Sequence, residues 1–253
     1  MNCSAVWLIY RACPGRIMQT LRSLLFTTYM ILSACVVGGL MGTCFWLPYR
    51  YRFGMARWWA QRLFWVLEHL CGLTFVVEGR QHIPAGAHLV MSNHTSAWET
   101  IALFIIFPPH CWVLKRELLW IPFVGWGLKV LRPIAINRGE GHRAVNQVVE
   151  QGTARMADGI WVVVFPEGTR VMAGEKKKYG VSGALLATST GRLVVPLSHN
   201  AGAYWPRRGI VKKPGVIRVV IGEPLVTAGK KPRELNEEIR AAIDAGLAKI
   251  AAA

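Results

Sequence analysis

Residues 88–107 read HLVMSNHTSAWETIALFIIF. His88–Met91 is a short apolar run with polar residues beyond it, the pattern of a buried strand. From Trp98 to Phe107 apolar positions continue long enough for a helix. A strand that breaks into a helix is the repeating unit of an α/β layer, and the same texture recurs along the chain. The sequence predicts strands at Thr74–Val77, His88–Met91, Trp112–Leu114, Pro133–Ile136, Trp161–Phe165, Leu193–Leu197 and Val216–Ile221. It predicts helices at Trp98–Phe107, His142–Met156, Ser182–Thr190 and Arg233–Ile250. In the last of these, Leu235, Ile239, Ile243 and Leu247 recur at four-residue spacing and give one buried stripe. Alternation of this kind indicates an α/β fold with a mostly parallel sheet flanked by helices. Ligands of such sheets bind beyond the carboxyl ends of strands.

The polar interval of the opening stretch lies at such an end. Ser96-Ala97-Trp98-Glu99 fits S-x-x-E, the capping box in which serine and glutamate satisfy each other's backbone donors at a helix start. That reading accounts for Ser96 and Glu99 and leaves Asn93 and His94 without a task. On the other reading, Glu99 holds the imidazole of His94 in one tautomer and stabilises its protonated form. There is no nucleophile motif such as G-x-S-x-G, so His94 would serve as general base for a substrate's own hydroxyl. Cap and dyad both stand at this point.

Further chemistry gathers at other strand ends. Phe165-Pro166-Glu167-Gly168-Thr169-Arg170 follows the strand WVVVF. Pro-Glu-Gly alone is a common tight turn. The whole run, however, offers a carboxylate, a hydroxyl, backbone N–H groups and a forked cation, a set that suits a phosphorylated alcohol. The run Arg132–Gly139 is another short strand ending in a cation, Arg138, and Lys115 ends the strand WVL. Each alone reads as a solvated charge; together at strand ends they converge on an anion site. Glu175-Lys176-Lys177-Lys178 fits a solvated loop or contact with anionic lipid equally well.

The chain is both basic and apolar. Lys and Arg number 30 against 14 Asp and Glu, a formal charge of +16, while 53% of residues are hydrophobic and 11 are Trp. That much aromatic and aliphatic residue argues against nucleic acid as the partner and for an anionic membrane face or small anionic substrates. Cys3, Cys13, Cys35, Cys44, Cys71 and Cys111 form no CxxC or Cys/His cluster, so neither a metal site nor a disulfide framework is expected.

Residues 1–71 form an N-terminal membrane-embedded helical region and residues 72–253 the α/β domain. Positions 23–49 carry no charge, more than the roughly 20 residues that cross a bilayer core. Gly38, Gly39 and Gly42 would weaken a helix there, and Pro48 closes the run. The next piece, YRFGMARWWAQRLFWVLEHLCG, mixes Trp58, Arg62 and Trp65 on one face, as interfacial helices do. Two arrangements remain: a helical hairpin dipping into one leaflet, and one spanning helix. Leu32-Ser33-Ala34-Cys35 resembles a lipoprotein cleavage box, but the apolar run continues well past it.

Taken together, the motifs resemble the glycerolipid acyltransferase family. Asn93-His94-Thr95-Ser96-Ala97-Trp98-Glu99 matches its N-H-x4-D element, with Glu in place of Asp. Lys115-Arg116-Glu117-Leu118 with Pro122, Gly125 and Ile136-Asn137-Arg138 is similar to its second block. Phe165 to Arg170 is its F-P-E-G-T-R without change, and Val194-Val195-Pro196 resembles its fourth element. The resemblance covers about Thr74 to Leu225. It implies transfer of an acyl chain from acyl-CoA or acyl-carrier protein, as substrate and without a cofactor or metal, to the sn-2 hydroxyl of 1-acylglycerol 3-phosphate (lysophosphatidate), giving phosphatidate. It implies His94 as general base oriented by Glu99. Lys115, Arg138 and Arg170 become candidate phosphate ligands, with Glu167, Gly168 and Thr169 placing the glycerol. Membrane lipids would be partners, at the cell inner membrane with the catalytic side facing the cytoplasm. The rival readings are an acyltransferase for another lysolipid, a hydrolase in which His94 activates water, and a basic membrane-binding protein without turnover.

Overall fold

In the computed structural model, residues 14–172, 175 and 177–252 are described, and Cys3, Arg11, Cys13 and Lys176 lie outside them. The strands are β1 (Leu73–Glu78), β2 (Leu89–Ser92), β3 (His110–Lys115), β4 (Ile134–Ile136), β5 (Trp161–Val164), β6 (Val194–His199) and β7 (Gly215–Ile221). They form one sheet in the order β1-β7-β6-β2-β5-β3-β4. Every neighbouring pair is parallel except β6 and β7, where Ser198 faces Val220. All seven expected strands are present, and the mostly parallel α/β fold with them. Every residue of β2, β5 and β6 is buried, because strands covered on both faces need apolar side chains on both.

The helices are α1 (Pro14–Thr43), α2 (Tyr49–Cys71), α3 (Trp98–Ile106), α4 (Val124–Val130), α5 (His142–Ala157), α6 (Ser182–Thr190), the single turn α7 (Ala201–Tyr204) and α8 (Pro232–Ala251). Leu235, Ile239 and Ile243 of α8 are buried as their spacing predicts, and Leu247 is half-buried. Short 3-10 turns occupy Arg80–His82, Arg116–Trp120 and Arg138–Glu140.

α1 and α2 form an antiparallel hairpin. Near its open end Gln19 Nε2 donates to the Cys71 carbonyl at 3.0 Å, and further along Trp59 Nε1 donates to Ser33 Oγ at 3.1 Å. α1 ends at Thr43, short of Pro48, and Pro48 is the residue from which α2 starts. Despite their low helix propensity, Gly38, Gly39 and Gly42 lie within a continuous α1. Their role is close approach. A Cβ on Gly38 would stand 2.7 Å from the Phe123 carbonyl oxygen, and one on Gly42 would stand 2.9 Å from the Trp126 Cβ. Small residues one turn apart let α4 lie against α1 almost backbone to backbone. α4 itself, VGWGLKV, carries two glycines and no apolar period, so packing rather than propensity forms it.

The hairpin joins the core of the α/β part. Phe53 and Phe64 of α2 pack on Phe104 and Trp98 of α3, with centroids 5.4 and 5.7 Å apart. On the other arm, the loop 205–213 holds α1. Lys212 N–H donates to Ser23 Oγ at 2.9 Å, the buried Lys212 Nζ bonds Thr27 Oγ1, and Trp205 meets Phe26 edge-on at 5.5 Å. The outer face of α1 is bare: Ile17, Leu25, Leu32 and Val36 are all more than half exposed. α1 is long and apolar enough to cross a membrane by length and composition.

Candidate active site

Strands β6, β2, β5, β3 and β4 run parallel, so their carboxyl ends open on one edge of the sheet. His94 follows β2 and Glu99 sits in the first turn of α3. The choice between cap and dyad dissolves in one oxygen. Glu99 Oε1 accepts from His94 Nδ1 at 2.7 Å and from the Thr95 and Ser96 N–H groups at 2.9 and 2.8 Å. Ser96 Oγ accepts the Trp98 N–H at 3.1 Å, completing the helix start. The cap therefore aims the carboxylate at the imidazole, and with Nδ1 committed to Glu99 the basic nitrogen is Nε2. The extra methylene of Glu is absorbed in this arrangement, since the bond to His94 is short.

The imidazole is pinned on its face as well. Its ring stacks on Phe165 with centroids 4.0 Å apart and planes 15° from parallel. The Val171 N–H donates to the His94 carbonyl at 2.8 Å, tying the FPEGTR loop to the segment after β2. Gly168, at the crest of that loop, has φ +69°, a conformation that favours glycine.

A second histidine lies behind the pair. His199, at the end of β6, is buried, with Nε2 2.9 Å from the Asn93 carbonyl and 3.9 Å from Glu99 Oε2. Ala201 N–H approaches its Nδ1 at 3.3 Å, so Nε2 carries the proton. Asn93 locks the two strand ends together: its amide donates to the His199 carbonyl and accepts the His199 N–H, both at 3.0 Å. Burial favours the neutral acid of Glu99, but the flanking imidazoles and the Ser96 N–H outweigh it and hold the carboxyl below its usual range. Burial pushes His199 down, against the opposing pull of Glu99. Glu167, also buried, is pushed up to about 7, chiefly by desolvation and further by the nearby Glu99. No motif marks His199; the signal is its place at the carboxyl end of a strand parallel to β2.

Two cavities meet this edge. The larger, about 460 Å³, is mostly apolar and runs from His94 and Phe165 to Ala34, Val37 and Met41 of α1 and Trp59 of α2. Of the expected binding residues, Lys115, Gly168 and Arg170 line it. Arg170 Nε is buried without a hydrogen-bond partner among the described residues, and Lys115 is half-exposed and paired to Glu117 at 3.0 Å. The smaller cavity, about 340 Å³, lies on the other side of the FPEGTR loop, and Glu167 faces it together with Asn93, His199, Tyr179 and Arg240. Thr169 lines neither of the two. Arg138 opens the 3-10 turn after β4, and its side chain lies outside the described part. Among the described residues no group of three His, Cys, Asp or Glu could hold a metal ion.

Comparison with known proteins places the whole chain. The family model described as Acyltransferase matches residues 74–200, which include the His94–Glu99 pair, the FPEGTR loop and His199. The chain is 40% identical to the 1-acyl-sn-glycerol-3-phosphate acyltransferase of Pseudomonas aeruginosa over 242 residues, 92% of each chain. It is 26% identical to the enzyme of the same name from Saccharomyces cerevisiae over 233 residues, 88% of this chain and 74% of that one. The crystal structure of the 1-acyl-sn-glycerophosphate acyltransferase PlsC from Thermotoga maritima superposes with a TM-score of 0.80 at 23% identity, covering 94% of this chain and 98% of the other. A histidine held by a carboxylate at the head of an apolar cavity is thus found in a chain that belongs to the acyltransferase family.

Proposed function

We propose that the protein acylates 1-acylglycerol 3-phosphate at its free sn-2 hydroxyl, giving phosphatidate. The observation that carries this reading is the 2.7 Å bond between His94 Nδ1 and Glu99 Oε1 at the head of an apolar cavity bounded by a membrane-competent helix. The names of the relatives in Pseudomonas aeruginosa and Saccharomyces cerevisiae support the same acceptor. His94 Nε2 takes the proton of the acceptor hydroxyl as its oxygen attacks the thioester carbonyl carbon. The C–S bond then breaks, and the proton passes from Nε2 to the departing thiolate. Glu99, ionised beneath the ring, stabilises the imidazolium in between. The cavity, within the usual range of about 300–1,000 Å³ for ligand sites, suits an acyl chain. Arg170 and Lys115 at its head suit the acceptor phosphate, with Arg138 as a third cation. Glu167, Gly168 and Thr169 set the shape of the loop that would seat the glycerol.

The acyl donor in this scheme is a soluble thioester, acyl-CoA or acyl-carrier protein, consumed as substrate with no cofactor. The α1–α2 hairpin fits insertion into one leaflet of the inner membrane, leaving the catalytic edge on the cytoplasmic side where such donors are found. Protease accessibility of an N-terminal tag in spheroplasts tests that orientation, and a periplasmic N-terminus would refute it. The activity itself is tested with purified protein, acyl-CoA and lysophosphatidate in vesicles, following free thiol and phosphatidate together. Equal release of both is expected. Thiol without phosphatidate would instead make the protein a hydrolase, and silence with either donor would make it a binding protein.

A further inference from the structure

Beyond the hairpin, a second stretch of the surface is apolar without a partner. After the 3-10 turn Arg116–Trp120, the chain presents Trp120, Ile121, Phe123 and Trp126, all between about two-fifths and seven-tenths exposed. Isolated exposed apolar residues are ordinary, but four large ones within seven positions form a patch that calls for a covering. The patch is continuous with the hairpin, because Phe123 and Trp126 sit directly on Gly38 and Gly42 of α1. Nearby, in the turn at the tip of the hairpin, Phe45 and Trp46 are about 70% exposed. Phe123 has φ +62°, a conformation bulky residues rarely adopt. It brings the Phe123 carbonyl against the Gly38 position while the ring stays half exposed. Arg116 and Lys129 stand exposed on either side, cations suited to anionic headgroups.

The inner side of the same segment faces the cavity. Val124, Gly127 and Leu128 line it opposite Ala34 and Gly38 of α1. One short stretch is thus apolar on both sides, towards the acyl cavity and towards the outside. We infer that residues 120–126 are a second membrane-inserting element, which enters the same leaflet as the hairpin and carries the rim of the cavity into the lipid. A lysolipid's chain then passes into the cavity between α1 and α4 without crossing water. This inference rests on the reading of the hairpin as membrane-inserted.

The test replaces single exposed residues of the full chain with the photo-cross-linker p-benzoylphenylalanine. The sites are Ile121, Trp46 in the hairpin turn, and exposed Val226 after β7. Each protein is bound to vesicles of phosphatidylethanolamine and phosphatidylglycerol, irradiated and analysed by intact mass. Lipid adducts are expected at 46 and 121 and none at 226. An adduct at 46 with none at 121 overturns the inference and leaves the hairpin reading intact. No adduct at 46 overturns both. A chain-to-chain adduct at 121 in place of lipid assigns the patch to a second copy of the protein, and also overturns it. As an independent measure, the double substitution W120E/I121E is expected to lower acylation of vesicle-embedded lysophosphatidate by roughly tenfold or more, with little change on a short-chain, water-soluble acceptor. An equal loss on both acceptors counts against the inference.

Discussion

Glu99 Oε1 binds both the helix-start N–H groups and His94, so in the proposed reaction its roles as cap and as partner of the general base separate only chemically. Glu99→Gln keeps an acceptor for the Thr95 and Ser96 N–H groups but loses the charge under His94. A fall in kcat on the order of 100-fold with little change in melting temperature is expected; unchanged kcat would leave Glu99 a cap alone. His94→Ala should abolish phosphatidate formation in a protein that still folds, since the ring is at the cavity head rather than in the core; substantial residual turnover would remove the general base. Arg170→Ala should raise the acceptor KM about tenfold or more while kcat changes less, and an unchanged KM would take Arg170 out of the phosphate site. Glu167 gives a pH signature. Its folded-state value of about 7 stands above the ordinary 4.5, so the folded protein binds this proton more tightly than the unfolded chain. Its contribution, at most roughly 3 kcal/mol, is present below pH 4.5 and is lost as pH rises through about 7. Urea-unfolding titrations of the parent protein and Glu167→Gln should therefore diverge below neutral pH, the parent gaining stability that the amide cannot.

At the scale of elements, the contact between α1 and α4 controls both shape and cavity. A side chain on Gly127 would place its Cβ 2.8 Å from the Gly38 Cα, inside the van der Waals limit. Gly127→Leu should cost about 1–3 kcal/mol by overpacking and, by prising α4 from α1, lower acylation more than thermal stability alone accounts for. Differential scanning calorimetry beside the vesicle assay separates the two effects. The strands and the long helices are legible in the sequence, because burial on two faces or along one stripe writes a periodic pattern. α4 is not: its glycines are placed for a contact with α1, and no local rule reveals that contact. The same holds for the glycines of α1, which read locally as weak points and serve as a docking surface.

Taken as a whole, the molecule is a basic α/β layer riding on an apolar hairpin. On the proposed reading, a formal charge of +16 would draw it to an anionic leaflet, and the bare face of α1 would hold it there. Binding to phosphatidylglycerol-containing vesicles should weaken as salt rises from 0.1 to 1 M, where the screening length falls from about 10 to about 3 Å, but not vanish. Sedimentation with vesicles across that range checks both parts; complete release at high salt would reduce the hairpin to a bystander.

The sequence by itself determined the α/β alternation, the strand ends that carry chemistry and the His94, Glu99 and FPEGTR positions, because each is encoded in spacing along a short stretch. Only the tertiary structure decided what depends on distant segments meeting. It set His199 behind Glu99 through Asn93, turned Glu167 away from the apolar cavity, and closed that cavity with two helices from the other end of the chain. Such contacts come from packing between surfaces far apart in sequence, and packing leaves no period along the chain to read.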